Sequence, residues 1–289
     1  MTSALTPVEN RNGLWMKRED LHRLPNGVNG SKLRACQHLI ATAHVRGYRR
    51  VISASSVLSP QSAMAATVAK SLNMPCDVIL GGTRPDTAIR HPAVKIAAAA
   101  GATFKYIPVG YNPALQSAAR RMNEHYPEAY HLQYGITVPP DATTEDIRAF
   151  YGVGAEQVQN IPTTVRTLVI PFGSGNTAAG VLYGLETYYT PVEEVILMGI
   201  GPDRQDWLHD RMTTLCGGFG GAFKVTHIPL HPHFATYGDT MRETLDGVVM
   251  HPTYEGKIVR WANQHQPEWW TRRDSTVCLW IVGGPLQTV

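Results

Sequence analysis

Asn29-Gly30-Ser31-Lys32-Leu33-Arg34 and, far downstream, Gly173-Ser174-Gly175-Asn176-Thr177-Ala178-Ala179-Gly180 are the two stretches whose reading decides this fold. The second follows the apolar run Thr167-Leu168-Val169-Ile170-Pro171-Phe172 and leads into helical spacing from Asn176. A strand that ends in a glycine-rich turn and opens a helix is a βα unit, and the N–H groups at that helix start converge on one point suited to phosphate. Spelled Gly173-x-Gly175-x-x-Ala178, the turn also satisfies a dinucleotide fingerprint. That reading wants an acid at the end of the next strand, about 20 residues on. Glu193 and Glu194 come before that strand instead. The bland alternative is a tight βα turn that needs glycine for its backbone alone. Lys32 stands just inside a helix running through Leu33, Cys36, Leu39 and Ile40, with its amine directed above the sheet. Read by itself, it is a snorkelling surface lysine.

Outward from these points the chain alternates short β-branched runs with longer stretches of helical spacing. Strands are expected at 50–53, 76–80, 103–107, 167–172 and 195–200, and helices at 59–72, 91–100, 113–125, 176–188 and 203–215, with Gly101 closing the second of these helices. Two parallel sheets follow. The proline- and acid-bearing stretch 138–145 is the expected return from a smaller unit to a larger one.

Composition is compatible with this and narrows the class. A chain of 289 residues that is 43% apolar can bury one large or two modest cores. The formal net charge is only +3, and the arginine doublets Arg49-Arg50, Arg120-Arg121 and Arg272-Arg273 are scattered, so nucleic acid is permitted without being demanded. Cys36, Cys76, Cys216 and Cys278 are far apart, which speaks against a zinc knuckle and a disulfide framework. A soluble protein of a reducing cytoplasm is expected, with no basic n-region leading an apolar stretch and no membrane-length apolar run. His227, His231 and His233 lie in a proline-broken segment, and no metal site is assigned to them. Trp269-Trp270-Thr271-Arg272-Arg273 reads as a surface loop with partly buried tryptophans rather than a base-stacking platform.

Several separated stretches carry a resemblance that spans nearly the whole chain. They are Lys17-Arg18-Glu19-Asp20 with Gly30-Ser31-Lys32-Leu33-Arg34 and His38-Leu39-Ile40, then Asp246-Gly247 with His251-Pro252-Thr253-Tyr254-Glu255-Gly256-Lys257, and finally Leu279-Trp280-Ile281-Val282-Gly283-Gly284-Pro285-Leu286. Their order resembles that of the 1-aminocyclopropane-1-carboxylate deaminase and D-cysteine desulfhydrase family, within the fold type II (tryptophan-synthase-β-like) pyridoxal-phosphate enzymes. The resemblance implies a two-domain, three-layer αβα protein of the α/β class, each domain built on a mostly parallel sheet. Residues 1–48 and 150–289 would form the large cofactor-holding domain, and 49–149 the small domain that closes over substrate. It implies pyridoxal 5′-phosphate as cofactor and a homodimer as the assembly.

By the same resemblance, Lys32 would hold the cofactor as an imine, while Gly173, Ser174, Gly175, Asn176 and Thr177 would cradle its phosphate. Glu255 would face the pyridine nitrogen and keep it protonated, making a stronger electron sink; otherwise it is a solvated acid at a helix start. Tyr237 and Tyr254 match positions whose phenols flank the substrate, although among 12 tyrosines either has a simple core reading. The segment 53–62 matches the loop that grips the substrate carboxylate, with Ser59 as the catalytic serine and Gln61 beside it. Pro60 departs from the family, standing where an asparagine usually contacts the ring hydroxyl; proline is also favoured at a first helical turn.

The leading expectation is a lyase or deaminase acting on a small amino acid. One alternative is an enzyme, such as a decarboxylase, acting on an amino-acyl group attached to thymine in phage DNA, as some phage proteins resembling this family do. The other is an inert relative that only binds the cofactor or another phosphate ligand.

Overall fold

Strands buried almost end to end, such as Ile52–Ser55 and Leu168–Phe172, are the mark of parallel sheets covered on both faces. The computed structural model describes residues 4–234, 236, 238–283 and 286. The chain opens with β1 (Val8–Arg11), β2 (Leu14–Arg18) and α1 (Ser31–Val45). It continues through β3 (Arg50–Ser55), α2 (Gln61–Ser71), β4 (Cys76–Gly81), α3 (Pro85–Ala88), α4 (Pro92–Ala99), β5 (Thr103–Ile107), α5 (Asn112–His125) and β6 (Ala129–Leu132). The last stretch holds α6 (Thr144–Ala155), β7 (Thr167–Phe172), α7 (Asn176–Thr187), β8 (Glu194–Gly199), α8 (Gln205–Cys216), β9 (Lys224–Pro229), the short hairpin β10 (Thr244–Leu245) and β11 (Val248–Val249), α9 (Glu255–His265), α10 (Glu268–Thr271) and β12 (Val277–Ile281).

Two compact units result, the first made of Met1–His22, Asn29–Lys32 and Thr144–Pro285, the second chiefly of Arg23–Val28 and Leu33–Thr143. In the first, six strands run in the order β1-β2-β12-β7-β8-β9. All are parallel except β1, which pairs antiparallel with β2 across a two-residue turn. Asn12 and Gly13 make that turn with φ of 52° and 88°, the geometry an Asn-Gly hairpin favours. β12 lies between β2 and β7, so Leu279 faces both Met16 and Val169 in register. These three residues join Leu14, Ile196, Met198 and Ile258 in the core of this unit.

The second unit is a four-stranded parallel sheet ordered β5-β4-β3-β6, with Ile52, Ile79, Leu115 and Ala119 in its core. The mostly parallel α/β architecture expected from the sequence is therefore present. The second unit takes in α1 from Leu33 onward, whereas the expected smaller domain began at residue 49. The buried face of α1 accounts for this: Cys36 lies close enough to Cys76 of β4 for the two thiols to feel each other, and close enough to influence Tyr130 of β6.

One local expectation is corrected. Trp269-Trp270 is not a loop but forms α10, with Trp270 buried and Trp269 set 5.9 Å from the Trp261 ring. The apolar area of these rings outweighs any demand for solvent access. Among the described residues no helix is long and apolar enough to cross a membrane.

Leu279→Ala should lower the unfolding free energy by about 2–5 kcal/mol, because a fully buried leucine in a central strand leaves a cavity that flanking strands cannot close. Urea denaturation followed by circular dichroism measures this, and a loss well under 1 kcal/mol would contradict the placement of β12.

Candidate active site

The site in the first unit is organised around the backbone of Val282, just beyond β12. Its carbonyl accepts the Ser31 N–H at 2.8 Å and the Ser31 hydroxyl at 3.2 Å, and its N–H donates to Glu255 Oε1 at 2.6 Å. Ser31 Oγ also lies 3.0 Å from Thr177 Oγ1. Three remote stretches are thus tied together: the start of α1 beside Lys32, the first turn of α7, and the start of α9. Gly30 makes the approach feasible. It has φ of 98°, and a Cβ there would stand 2.6 Å from the Val282 carbonyl oxygen, so no side chain fits.

The turn Gly173-Ser174-Gly175 runs from β7 into α7, and Gly175 precedes the helix in a left-handed conformation at φ 89°. A Cβ on Gly175 would collide with the Trp207 ring. The first-turn N–H groups of α7 have no acceptor inside the helix, and its dipole favours an anion there. The Asn176 side chain is braced by the Tyr151 hydroxyl, which donates to Oδ1 at 2.8 Å. Arg211 lies with its guanidinium 5.4 Å from the Tyr151 ring and 5.6 Å from the Trp207 ring, adding a cation beside the cradle. Tyr151, Trp207 and Arg211 were not among the sequence candidates. The i, i+4 spacing of Trp207 and Arg211 was the one available signal.

Lys32 is partly accessible, yet enough protein surrounds its amine that desolvation lowers its pKa. That shift favours the neutral amine, the form able to attack a carbonyl. His251 is held neutral at physiological pH, pushed down to about 4 by desolvation and then by the charge of Lys32. Its Nδ1 accepts the Thr253 N–H at 3.2 Å, which puts the ring proton on Nε2. The Tyr254 ring lies against His251 with centroids 4.6 Å apart, and a side chain on Gly173 would begin 4.0 Å from it.

Glu255 is wholly buried at the first position of α9, so the solvated-acid reading is excluded. Desolvation raises its pKa to about 8, against the lowering effect of the Val282 N–H. Its second oxygen, Oε2, is buried with no partner among the described residues. A buried acid with one satisfied and one vacant oxygen calls for a donor, best a cationic N–H.

The second unit holds Ser59 and Gln61. Ser59 is half-buried and its Oγ accepts the Gln61 N–H at 3.2 Å. Pro60 takes φ −67° and ψ −9° just ahead of α2, so its place at a helix start has a structural account. Gln61 is buried and engaged at both ends: Nε2 donates to Ser53 Oγ and to the Gln133 carbonyl, each at 3.2 Å, while Oε1 accepts the Gly135 N–H at 2.8 Å. Ser55 and Ser62, in the same segment, bury hydroxyls that find no partner among the described residues. Neither was singled out from sequence, where serines of this loop look alike. Tyr237 lies outside the described residues. Among the described residues, no three His, Cys, Asp or Glu side chains converge as a metal site.

A lysine whose amine is driven toward neutrality, a helix start open to an anion and a buried acid with a vacant oxygen are together compatible with one class, that of enzymes carrying an aldehyde cofactor with a phosphate arm and a basic ring nitrogen. Residues 3–244 match the family model "pyridoxal-phosphate dependent enzyme", and the chain belongs to that family. It is 31% identical, over 338 aligned positions covering 95% of this chain and 79% of the relative, to the O-seryl-dTMP PLP-dependent decarboxylase of Salmonella phage ViI. It is 26% identical, over 260 positions covering 84% of this chain and 77% of the relative, to a Pyrococcus furiosus protein provisionally named 1-aminocyclopropane-1-carboxylate deaminase. The crystal structure of an ACC deaminase homologue superposes with a TM-score of 0.74 at 18% identity, covering 99% of this chain and 91% of that one. The fold is that of the type II pyridoxal-phosphate enzymes, and the cofactor is pyridoxal 5′-phosphate. The residues present fit that group: the vacant Glu255 oxygen suits its ring N–H, the α7 turn its phosphate and the Lys32 amine its aldehyde.

Burial of Glu255 gives a sign that can be checked in the cofactor-free protein. Its folded pKa of about 8 exceeds the ordinary 4.5, so the folded state holds a proton the unfolded chain releases, and stability falls as the pH rises from about 5 to about 8. Glu255→Gln should remove that slope, leaving the variant more stable than the parent by a few kcal/mol at about pH 8. Urea titrations of both apoproteins at pH 5, 6, 7 and 8 supply the comparison, and parallel pH curves would refute the assignment.

Proposed function

We propose that this enzyme is a lyase that cleaves a bond at the α-carbon of an amino-acid group. The vacant, buried oxygen of Glu255 carries this reading. When bound, pyridoxal phosphate supplies a conjugated cationic ring that accepts electrons from a bond beside the substrate nitrogen. Gly173 to Thr177 would hold its phosphate, Lys32 its aldehyde carbon and Glu255 its ring nitrogen.

The protein's own groups do the rest. Glu255 is high-energy as an unpaired anion in its dry site, so ionising against a cationic N–H favours the protonated ring. Lys32, eased toward neutrality by desolvation, can take up or return a proton. Tyr254 would stand beside the phosphate turn as a second proton carrier, with neutral His251 against its face. Tyr237 is assigned a similar part on the family resemblance. In the second unit, Ser59 is assigned its part as catalytic serine, and the start of α2 its grip on a carboxylate, on the family resemblance, with Gln61 holding the loop in place.

For the substrate, the degree of identity favours an amino-acyl group attached to a nucleotide over a free small amino acid, since the phage relative matches 95% of the chain at 31% identity. The same reading makes nucleic acid a partner and loss of carboxylate the reaction. A homodimer in the cytoplasm completes the proposal.

The holoprotein should be yellow, and borohydride should fix the cofactor onto Lys32, as peptide mass spectrometry would show. Lys32→Ala should lower turnover at least about a thousandfold. Mass spectrometry of products from free amino acids and amino-acyl nucleotides selects the substrate; products from free amino acids alone would reject the nucleotide reading, and a colourless protein unable to take up the cofactor would reject the assigned site.

A further inference from the structure

In the second unit, the strand order β5-β4-β3-β6 means that the chain leaves β3 toward β4 and β5 and returns to the opposite side of β3 as β6. The loops that follow β3 and β6 therefore flank the switch point of the sheet, where open parallel sheets bind ligands. Gln61, at the end of the first loop, holds the second through the Gln133 carbonyl and the Gly135 N–H. Next to that second loop is a cavity of about 470 Å³, walled by Asn112, Gln116 and Arg120 from one face of α5 and by Gln133, Tyr134 and Thr137 from the loop.

The lining has a definite chemistry. Arg120 is exposed and, among the described residues, pairs with no carboxylate. Its charge reaches His131, whose pKa is lowered by desolvation and then by Arg120 and whose Nε2 is buried without a partner among the described residues. Gln116 holds a buried amide nitrogen that has no acceptor among the described residues. Tyr134 contributes a half-buried aromatic ring. A cation, a vacant amide donor and a ring at the edge of one cavity match a phosphate, a base carbonyl and a base face. The cavity lies within the usual size range of small-molecule sites, and a free serine-sized amino acid would leave its cation and its amide unused.

We propose that this cavity is the subsite for the nucleotide part of a carrier-linked substrate, with Arg120 taking the 5′-phosphate, Gln116 a carbonyl on the edge of a pyrimidine and Tyr134 the face of the ring. The inference rests on the amino-acyl nucleotide reading above and adds to it the residues that recognise the carrier. Free mononucleotide and a strand segment present the same phosphate, sugar and base.

The test is calorimetric binding of dTMP, thymidine and a thymidine pentanucleotide to the holoenzyme, the Arg120→Gln variant and the Arg121→Gln variant. Arg121 does not line the cavity and is exposed, so its variant controls for bulk charge. Expected is dTMP binding well above that of thymidine, weakened at least about tenfold by Arg120→Gln, the weight of one charge-assisted hydrogen bond, with Arg121→Gln close to the parent. Whichever of dTMP and the pentanucleotide binds more tightly identifies the source, and that ligand should show the Arg120 dependence. Absence of dTMP and oligonucleotide binding, or equal losses in the two arginine variants, overturns the subsite. Turnover of amino-acyl nucleotides is measured separately on the parent enzyme. If it persists while Arg120 proves irrelevant to binding, the subsite fails alone; if only free amino acids react, it is the reading beneath it that fails.

Discussion

The backbone of one residue, Val282, fixes the geometry of the stretches proposed to hold the cofactor. Its carbonyl and N–H are saturated by Ser31 and Glu255, and Ser31 passes the constraint on to Thr177. Lys32, the 173–177 turn and the buried acid come from parts of the chain more than 70 residues apart, so none could orient another through local structure. Moving any one of them would leave a buried polar group without its partner, a penalty of about 1–3 kcal/mol each. The arrangement is therefore rigid for a physical reason, and rigid placement is what a site working by electrostatic preorganisation requires.

Much of the fold was legible because its central strands are continuous apolar runs while most of its helices keep a polar face. The alternation from β3 to α5 and from β7 to α8 falls where the period changes from continuous apolar runs to helical spacing. The sequence expectations contained no antiparallel edge strand, although Asn12-Gly13 carries a strong hairpin signal; β1 is short and half-exposed, so its apolar pattern is weak. α10 was misread because adjacent tryptophans and arginines look like surface decoration until a third ring, Trp261, is placed beside them. That contact is tertiary and has no local trace.

The site was legible to a different depth in each part. Lys32 and the 173–177 turn announce themselves by residue type and by position at helix starts. Glu255 owes its meaning to burial, which spacing cannot supply: the same residue in solvent would be an ordinary acid. Ser55 and Ser62 are hidden by the company of other serines, and only their unpaired, inaccessible hydroxyls set them apart. Tyr151 touches Asn176 and the Arg211 guanidinium, a relation between α6, α7 and α8 of which the sequence shows only the i, i+4 spacing of Trp207 and Arg211.

The position of β12 has a consequence for biogenesis. It is the last strand of its sheet to leave the ribosome, yet it occupies an interior place between β2 and β7. Until it inserts, β2 and β7 present open edges, and the glutamate at 255 lacks the Val282 N–H. Assembly of this sheet must therefore wait for β12, and a product truncated before 277 would expose two sticky edges to the quality-control machinery.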